Sequence, residues 1–192
     1  MVFLVSSCVH RGNYTTAGSF ERVQLPLRDA RIGVLEPRGP FGDSASADKA
    51  YRELRGMLKK CGEPEVLSED EMNQAQQLPA LYGEGVAEHH LRYFVEQTDL
   101  DFILYLDIGP GRGELVPSFP AAIPADREAS AFVYVYDLST GTLAKTVQVN
   151  GRLNLQEEPR WYEIEYTEEE IARRALKKAL RGVVRYSDCN LQ

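Results

Sequence analysis

At 192 residues, with 43% hydrophobic and 9% aromatic content, the chain is long enough to bury a proper core as one domain, or one domain with a tail. Its formal charge of −7 argues against a nucleic-acid binder, which presents an electropositive face. No run approaches the about 18 apolar residues that a membrane-spanning helix needs.

The opening MVFLVSSC is too short for an ordinary secretory signal and lacks its charged start. Val5-Ser6-Ser7-Cys8 nevertheless has the form of the end of a bacterial lipoprotein signal, in which small residues precede a cysteine that becomes lipidated. Cys8 is therefore the candidate lipid-anchor site, behind a truncated signal, and the polar HRGNYTTAGS after it reads as a tether. Residues 1–19 are assigned to signal remnant and tether, and residues 20–192 to a single α/β domain. With Cys8 lipidated, Cys61 and Cys189 remain as an even pair in an oxidising compartment. Each follows a predicted helix, so they are either bridged or two unrelated thiols.

FERVQLPL contains Pro26 and is at best an edge strand. RIGVLE is a better strand, closed by Pro37, and PRGPFGDSAS is a loop of Gly, Pro and Ser. Residues 48–60 have helical spacing, with Ala50, Leu54, Met57 and Cys61 on one face, Ser46 as N-cap and Gly62 as terminator. A short strand at residues 65–67 leads into Ser68-Glu69-Asp70-Glu71, a capping-box signature for a short helix to about residue 77. A second main helix spans residues 86–98. There His89 and His90 are adjacent, point about 100° apart on a helix and do not chelate one metal.

Residues 102–108 form a strand, and residues 131–137 and 143–150 an antiparallel hairpin about the turn DLSTGT. Phe132, Tyr134 and Tyr136 share one hairpin face and Val133 and Val135 the other, so both faces are apolar and call for cover. Between these strands, residues 109–129 carry four prolines and the apolar Leu115, Val116, Phe119 and Ile123, the profile of a partner-binding or packing loop. Gly109-Pro110-Gly111-Arg112-Gly113 lacks the Lys-Ser/Thr and the following helix of a phosphate loop. The last helix is the clearest: Thr167 and Glu170 form a capping box, and Ile171, Leu176, Leu180 and Val183 make an apolar stripe.

Catalytic constellations are missing. No nucleophile elbow, His-Glu-x-x-His or Cys-x-x-Cys is present, and Asp101 and Asp107 stand about 20 Å apart along their strand.

The order strand, helix, strand with short helix, helix, strand, hairpin, helix resembles the periplasmic lipoprotein superfamily that includes the curli secretion protein CsgG, the LpoB activator of a penicillin-binding protein and the N-terminal domain of TolB. RIGVLEP, PEVLSEDEM, TDLDFILYLDIG and VYVYDLSTGTLAKTVQVNG carry the resemblance, the last most specifically. It implies an α/β sandwich: a mixed sheet of about four or five strands packed by about three main helices. It also implies a non-enzymatic protein on the periplasmic side of the envelope, lipid-anchored to the outer membrane, that binds an envelope protein partner in envelope assembly. No cofactor, metal or nucleic acid is expected. Leu115, Val116, Phe119 and Ile123, with Tyr134 and Tyr136, are the candidate partner-binding residues. The competing classes are an envelope hydrolase using the loop at residues 37–46, and a structural subunit of a homo-oligomer.

Overall fold

The computed structural model describes residues 13–20, 23–42, 44–59, 61–75, 78, 85–111, 127–154 and 167–190. Their elements are β1 (Asn13–Phe20), β2 (Arg31–Val34), α1 (Ser44–Leu58), β3 (Glu65–Ser68), α2 (Glu69–Ala75), α3 (Glu88–Gln97), β4 (Phe102–Pro110), β5 (Arg127–Asp137), β6 (Thr142–Asn154), α4 (Glu168–Arg185) and a closing 3-10 turn, Asp188–Asn190.

The strands form one mixed sheet in the order β1-β6-β5-β4-β2-β3. β4 is the seam. It pairs in parallel with β2, which pairs in parallel with β3, and on its other side it pairs antiparallel with β5. The α/β class is as expected, but the sheet has six strands. The additional one is β1, which pairs antiparallel with β6 from Asn13↔Asn154 to Phe20↔Val147. The polarity of residues 13–19 suggests a tether. Polarity does not exclude a strand at a sheet edge, and Tyr14, Thr15, Thr16 and Phe20 are residue types enriched in strands. The hairpin is also longer than its apolar core suggests, because Arg127–Ser130 and Gly151–Leu153 continue the ladder. α1 starts four positions before Asp48, which places Ser46 inside the helix rather than at its cap.

Helices cover the two faces unequally. α1 and α4 pack on one face, where Leu54, Leu58, Ile171, Ala175, Ala179 and Val183 meet Ile32, Val34, Leu104, Leu106, Val133, Val135, Val147 and Val149. On the opposite face Met72 of α2 and Leu91 and Phe94 of α3 pack with Ile103, Tyr105 and Tyr136. Gly33 permits that second layer, since a Cβ there would lie 2.6 Å from the Met72 sulfur. A register shift between Val135 and Tyr136 makes Ala144 an extra residue in β6. Val135 thus pairs with Lys145, whose buried ammonium donates to the Val23 carbonyl at 2.9 Å and lies 4.9 Å from the Tyr186 ring centroid.

α4 begins as its sequence requires. The Thr167 side chain accepts from the Glu170 N–H, and the Glu170 carboxylate accepts from the Thr167 N–H. Its other end is held by a knot of main-chain bonds and one covalent link. Leu25 N–H donates to the Tyr186 carbonyl, the Asp188 carboxylate accepts from the N–H groups of Leu27 and Arg28, and Cys61 is disulfide-bonded to Cys189 with Cα atoms 4.8 Å apart. The bond spans 128 positions and so removes a large closed loop's worth of freedom from the unfolded chain. Cys61→Ala is expected to lower the unfolding free energy by about 2–5 kcal/mol, read from urea denaturation; reducing the wild-type protein should lower its midpoint similarly, and Cys61→Ala should then respond little to reductant.

Candidate binding surfaces

The first surface follows from how the chain leaves the parallel strands. After β2 it crosses to α1 on one face of the sheet, and after β3 it enters α2 on the other. A crevice opens between neighbouring carboxyl ends wherever successive connections diverge in this way. Leu35, Glu36, Asp48, Tyr51, Ser68 and Glu69 are among its lining residues.

Two carboxylates at its rim, Glu69 and Glu71, are engaged by the protein itself. Glu69 accepts from the Glu36 N–H at 2.6 Å and from the Arg38 guanidinium at 2.9 Å. Glu71 accepts from the Ser68 N–H at 2.8 Å, while Ser68 Oγ accepts in turn from the Glu71 N–H. The Ser68 backbone N–H is the main reason the Glu71 carboxyl lies below its ordinary range. Burial, followed by the neighbouring Glu71 charge, raises the Tyr51 phenol. The Tyr51 hydroxyl lies 3.4 Å from Glu71 and accepts from Arg55 at 3.0 Å.

The loop after β2 runs on beside β4. Arg38 N–H donates to the Leu106 carbonyl, Ile108 N–H to the Arg38 carbonyl, and Phe41 N–H to the Ile108 carbonyl. Gly39 adopts φ +92° there, and a Cβ would lie 2.3 Å from the Ile108 oxygen and 2.5 Å from an Asp107 carboxylate oxygen. Backbone and carboxylate therefore meet at a distance only glycine permits.

The second surface lies on the α2/α3 face. Tyr136, expected on a contact surface, is only 8% exposed, and its hydroxyl accepts from the Val86 N–H at 3.2 Å. The Tyr105 hydroxyl is hydrogen-bonded by the Gly85 backbone, and burial raises its pKa. Two phenols from the sheet thus hold consecutive backbone groups just before α3, so Tyr136 is structural here. Tyr134 is half-buried, and its ring stacks on Phe132 at 6.0 Å with 10° between planes.

Beyond Tyr134 the face changes character. Register places Asp107, Phe132 and Gln148 in one row, Gly109, Ser130 and Asn150 in the next, and Glu128 opposite Arg152 after that. Asp107, Ser130, Gln148 and Asn150 are buried polar residues. Gln148 donates to Asn150, Ser130 to the Pro110 carbonyl, and Glu128 pairs with Arg152. Only the pairing of three strands brings these residues together. The one local trace is the alternation of Gln148, Asn150 and Arg152 with Val147, Val149 and Gly151 along β6.

Cys8, Leu115, Val116, Phe119 and Ile123 lie outside the described residues. His89 is exposed and His90 buried on α3, their ring centroids 3.9 Å apart. The sulfurs of Cys61 and Cys189 come close to the Asp188 carboxylate but are bonded to each other.

No family model matches the chain, and no curated protein matches it. Among solved structures, two of a PelC dodecamer from Paraburkholderia phytofirmans, one a point variant, match with TM-score 0.45 and identities of 13% and 14%. They cover 90% and 89% of this chain and 97% of theirs. A neuraminyllactose-binding hemagglutinin homologue from Helicobacter pylori matches with TM-score 0.38 and 10% identity, over 84% of this chain and 82% of its own.

Burial, and then the neighbouring His89, lower the His90 pKa below its ordinary 6.5. The unfolded chain therefore takes up this proton first. Stability is at its full value above 6.5 and falls as pH drops through the window between the unfolded and folded values. The melting temperature should decline as pH falls below 6.5, and His90→Gln should make that decline shallower.

Proposed function

We propose that this chain is a non-enzymatic, lipid-anchored protein of the bacterial envelope, akin to the CsgG, LpoB and TolB superfamily, whose α/β domain works by binding another envelope protein. The observation that carries the reading is the Cys61–Cys189 bond, which ties the end of α1 to the closing turn of the chain. Disulfides persist in oxidising compartments such as the periplasm and are rare in the cytosol. Cys8, the last residue of the Val5-Ser6-Ser7-Cys8 motif and five positions before the start of β1, is the proposed attachment point. The contact surface is proposed to combine Leu115, Val116, Phe119 and Ile123 with the half-buried Tyr134, the tyrosine of the original pair that is not enclosed in the core.

The hydrolase alternative needs a free acid–base pair near residues 37–46. Glu69 and Glu71 beside that loop are held by backbone N–H groups and Arg38, which supports a structural role for these two carboxylates. A self-assembling subunit is favoured by one feature: among the described residues β1 is the last strand on its side of the sheet, and an edge strand is a template for pairing with a second copy.

Expression with the genomic codons upstream of Met1, followed by labelling with a fatty-acid analogue, should give a labelled protein, with the label lost in Cys8→Ala. An unlabelled wild type would reject the anchor. A photo-crosslinking residue placed at Tyr134 should capture a distinct envelope protein, whereas one placed at Tyr136 should not. Capture of the chain only by itself would favour the self-assembling subunit.

A further inference from the structure

The chain is acidic overall, yet the helical layer formed by α1 and α4 is basic on its outer side. Lys49, Arg52 and Lys59 are exposed on and just after α1, and Arg174, Arg181 and Arg185 are exposed on α4. α1 leaves the carboxyl end of β2 and returns to the start of β3. α4 follows β6, a strand parallel to β2, and ends at Tyr186 over Lys145, near the start of β6. The two helices therefore lie side by side and run the same way, so their basic residues form one field rather than two separate stripes.

Acids on the two helices cancel that field only in part: Asp48, Glu53 and Glu168–Glu170 are five against nine Lys and Arg on α1 and α4. Glu53 is taken by Lys177 at 2.8 Å, and Glu169 lies 4.0 Å from Arg173. Glu168–Glu170 sit together at the amino end of α4, where the helix dipole and the capping box account for them. The dipole also favours Arg185 and Lys59 at carboxyl ends, but it does not call for Lys49 or Arg52 near the middle and start of α1. Since the whole chain carries −7, a positive surplus here is matched by a larger negative surplus elsewhere, so the molecule is electrically two-sided.

Among the described residues this surface shows no fully exposed large hydrophobic side chain. Among the described residues, the exposed large hydrophobic side chains are Val23, Val95 and Leu143, and none is on α1 or α4. A basic field with no fully exposed aromatic or aliphatic side chain among the described residues is poorly suited to filling a partner's pocket or inserting into acyl chains. It suits a flat, delocalised array of negative charge.

We propose that the outer face of the α1/α4 layer is an electrostatic docking surface for anionic phospholipid headgroups, so that the domain lies with this layer against a membrane. The proposal rests on the envelope reading only for bringing a membrane within reach. Contact is through Lys and Arg heads at the headgroup level, while the apolar faces of both helices stay in the core.

The test uses the full chain carrying Cys8→Ser, so that no acyl chain contributes and a failure of lipidation is not mistaken for a failure of docking. The protein should float with vesicles of phosphatidylglycerol and phosphatidylethanolamine but not with phosphatidylcholine alone. Raising ionic strength from about 0.05 M to about 0.5 M should release it. Arg52→Glu, Lys59→Glu and Arg181→Glu should each weaken vesicle binding at least about fivefold. Arg92→Glu, an equal charge change on exposed α3, should leave binding as it was. Circular dichroism confirms that each variant is folded. Failure of the wild type to bind phosphatidylglycerol vesicles overturns the proposal. So does equal weakening by Arg92→Glu, which would reduce the effect to net charge. Unchanged vesicle binding in the layer variants, accompanied by a change in oligomeric state, would overturn it in favour of a second copy.

Discussion

The structure depends on β4 being buried on both sides. Phe102 to Ile108 are all buried, and alternate residues serve opposite cores: Phe102, Leu104, Leu106 and Ile108 face α1 and α4, while Ile103 and Tyr105 face α2 and α3. The same strand joins a parallel half to an antiparallel half. A slip of one residue would exchange the two sets and present Asp107 to the larger core, so register here fixes the whole sheet. The loop after β2 strengthens that choice by continuing the pairing as far as Ile108, with Gly39 allowing the closest approach.

The two faces differ in chemistry as well as cover. The α1/α4 face is a continuous apolar layer in which the main exception is Lys145, held by a carbonyl and an aromatic ring. The other face is apolar only as far as Tyr134, and its further rows carry Asp107, Ser130, Gln148 and Asn150. A buried polar group keeps a fold stable only when its hydrogen bonds are met, so these rows demand more exact positioning than the aliphatic face. The bonds from Gln148 to Asn150 and from Ser130 to the Pro110 carbonyl meet part of that demand.

Local signals were readable in the sequence where one short stretch contained the whole cause. The Thr167–Glu170 capping box, the apolar stripe of α4, the Ser68–Glu71 box and the DLSTGT turn each lie within a few residues of chain, and each appears as expected. β1 was not legible, because an edge strand is stabilised by a neighbour 130 or so positions away and not by its own apolar pattern. Tyr136 and Tyr134 look alike in the sequence. The difference between them is made by the Val86 N–H, whose position depends on how α3 crosses the sheet. The polar rows were hidden for the same reason, since register across β4, β5 and β6 is what assembles them. The basic field needed the direction of α4 relative to α1, which the charges of either helix alone do not contain.

The link between Cys61 and Cys189 also governs what cleavage of the backbone does to the molecule. Any single cut between those positions opens a closed covalent ring and leaves one molecule, because the two pieces stay joined through sulfur. β3, β4, β5, β6 and all of α2, α3 and α4 lie inside that ring, whereas β1 and β2 lie outside it. A nick in the ring would therefore keep the central sheet together and escape notice on a non-reducing gel. A cut between β1 and β2 would leave β1 attached only by its hydrogen bonds and packing, including its ladder with β6. If the membrane anchor precedes β1, a cut anywhere between it and Cys61 leaves the ring intact, and a cut between the anchor and β1 would release the whole domain from its membrane.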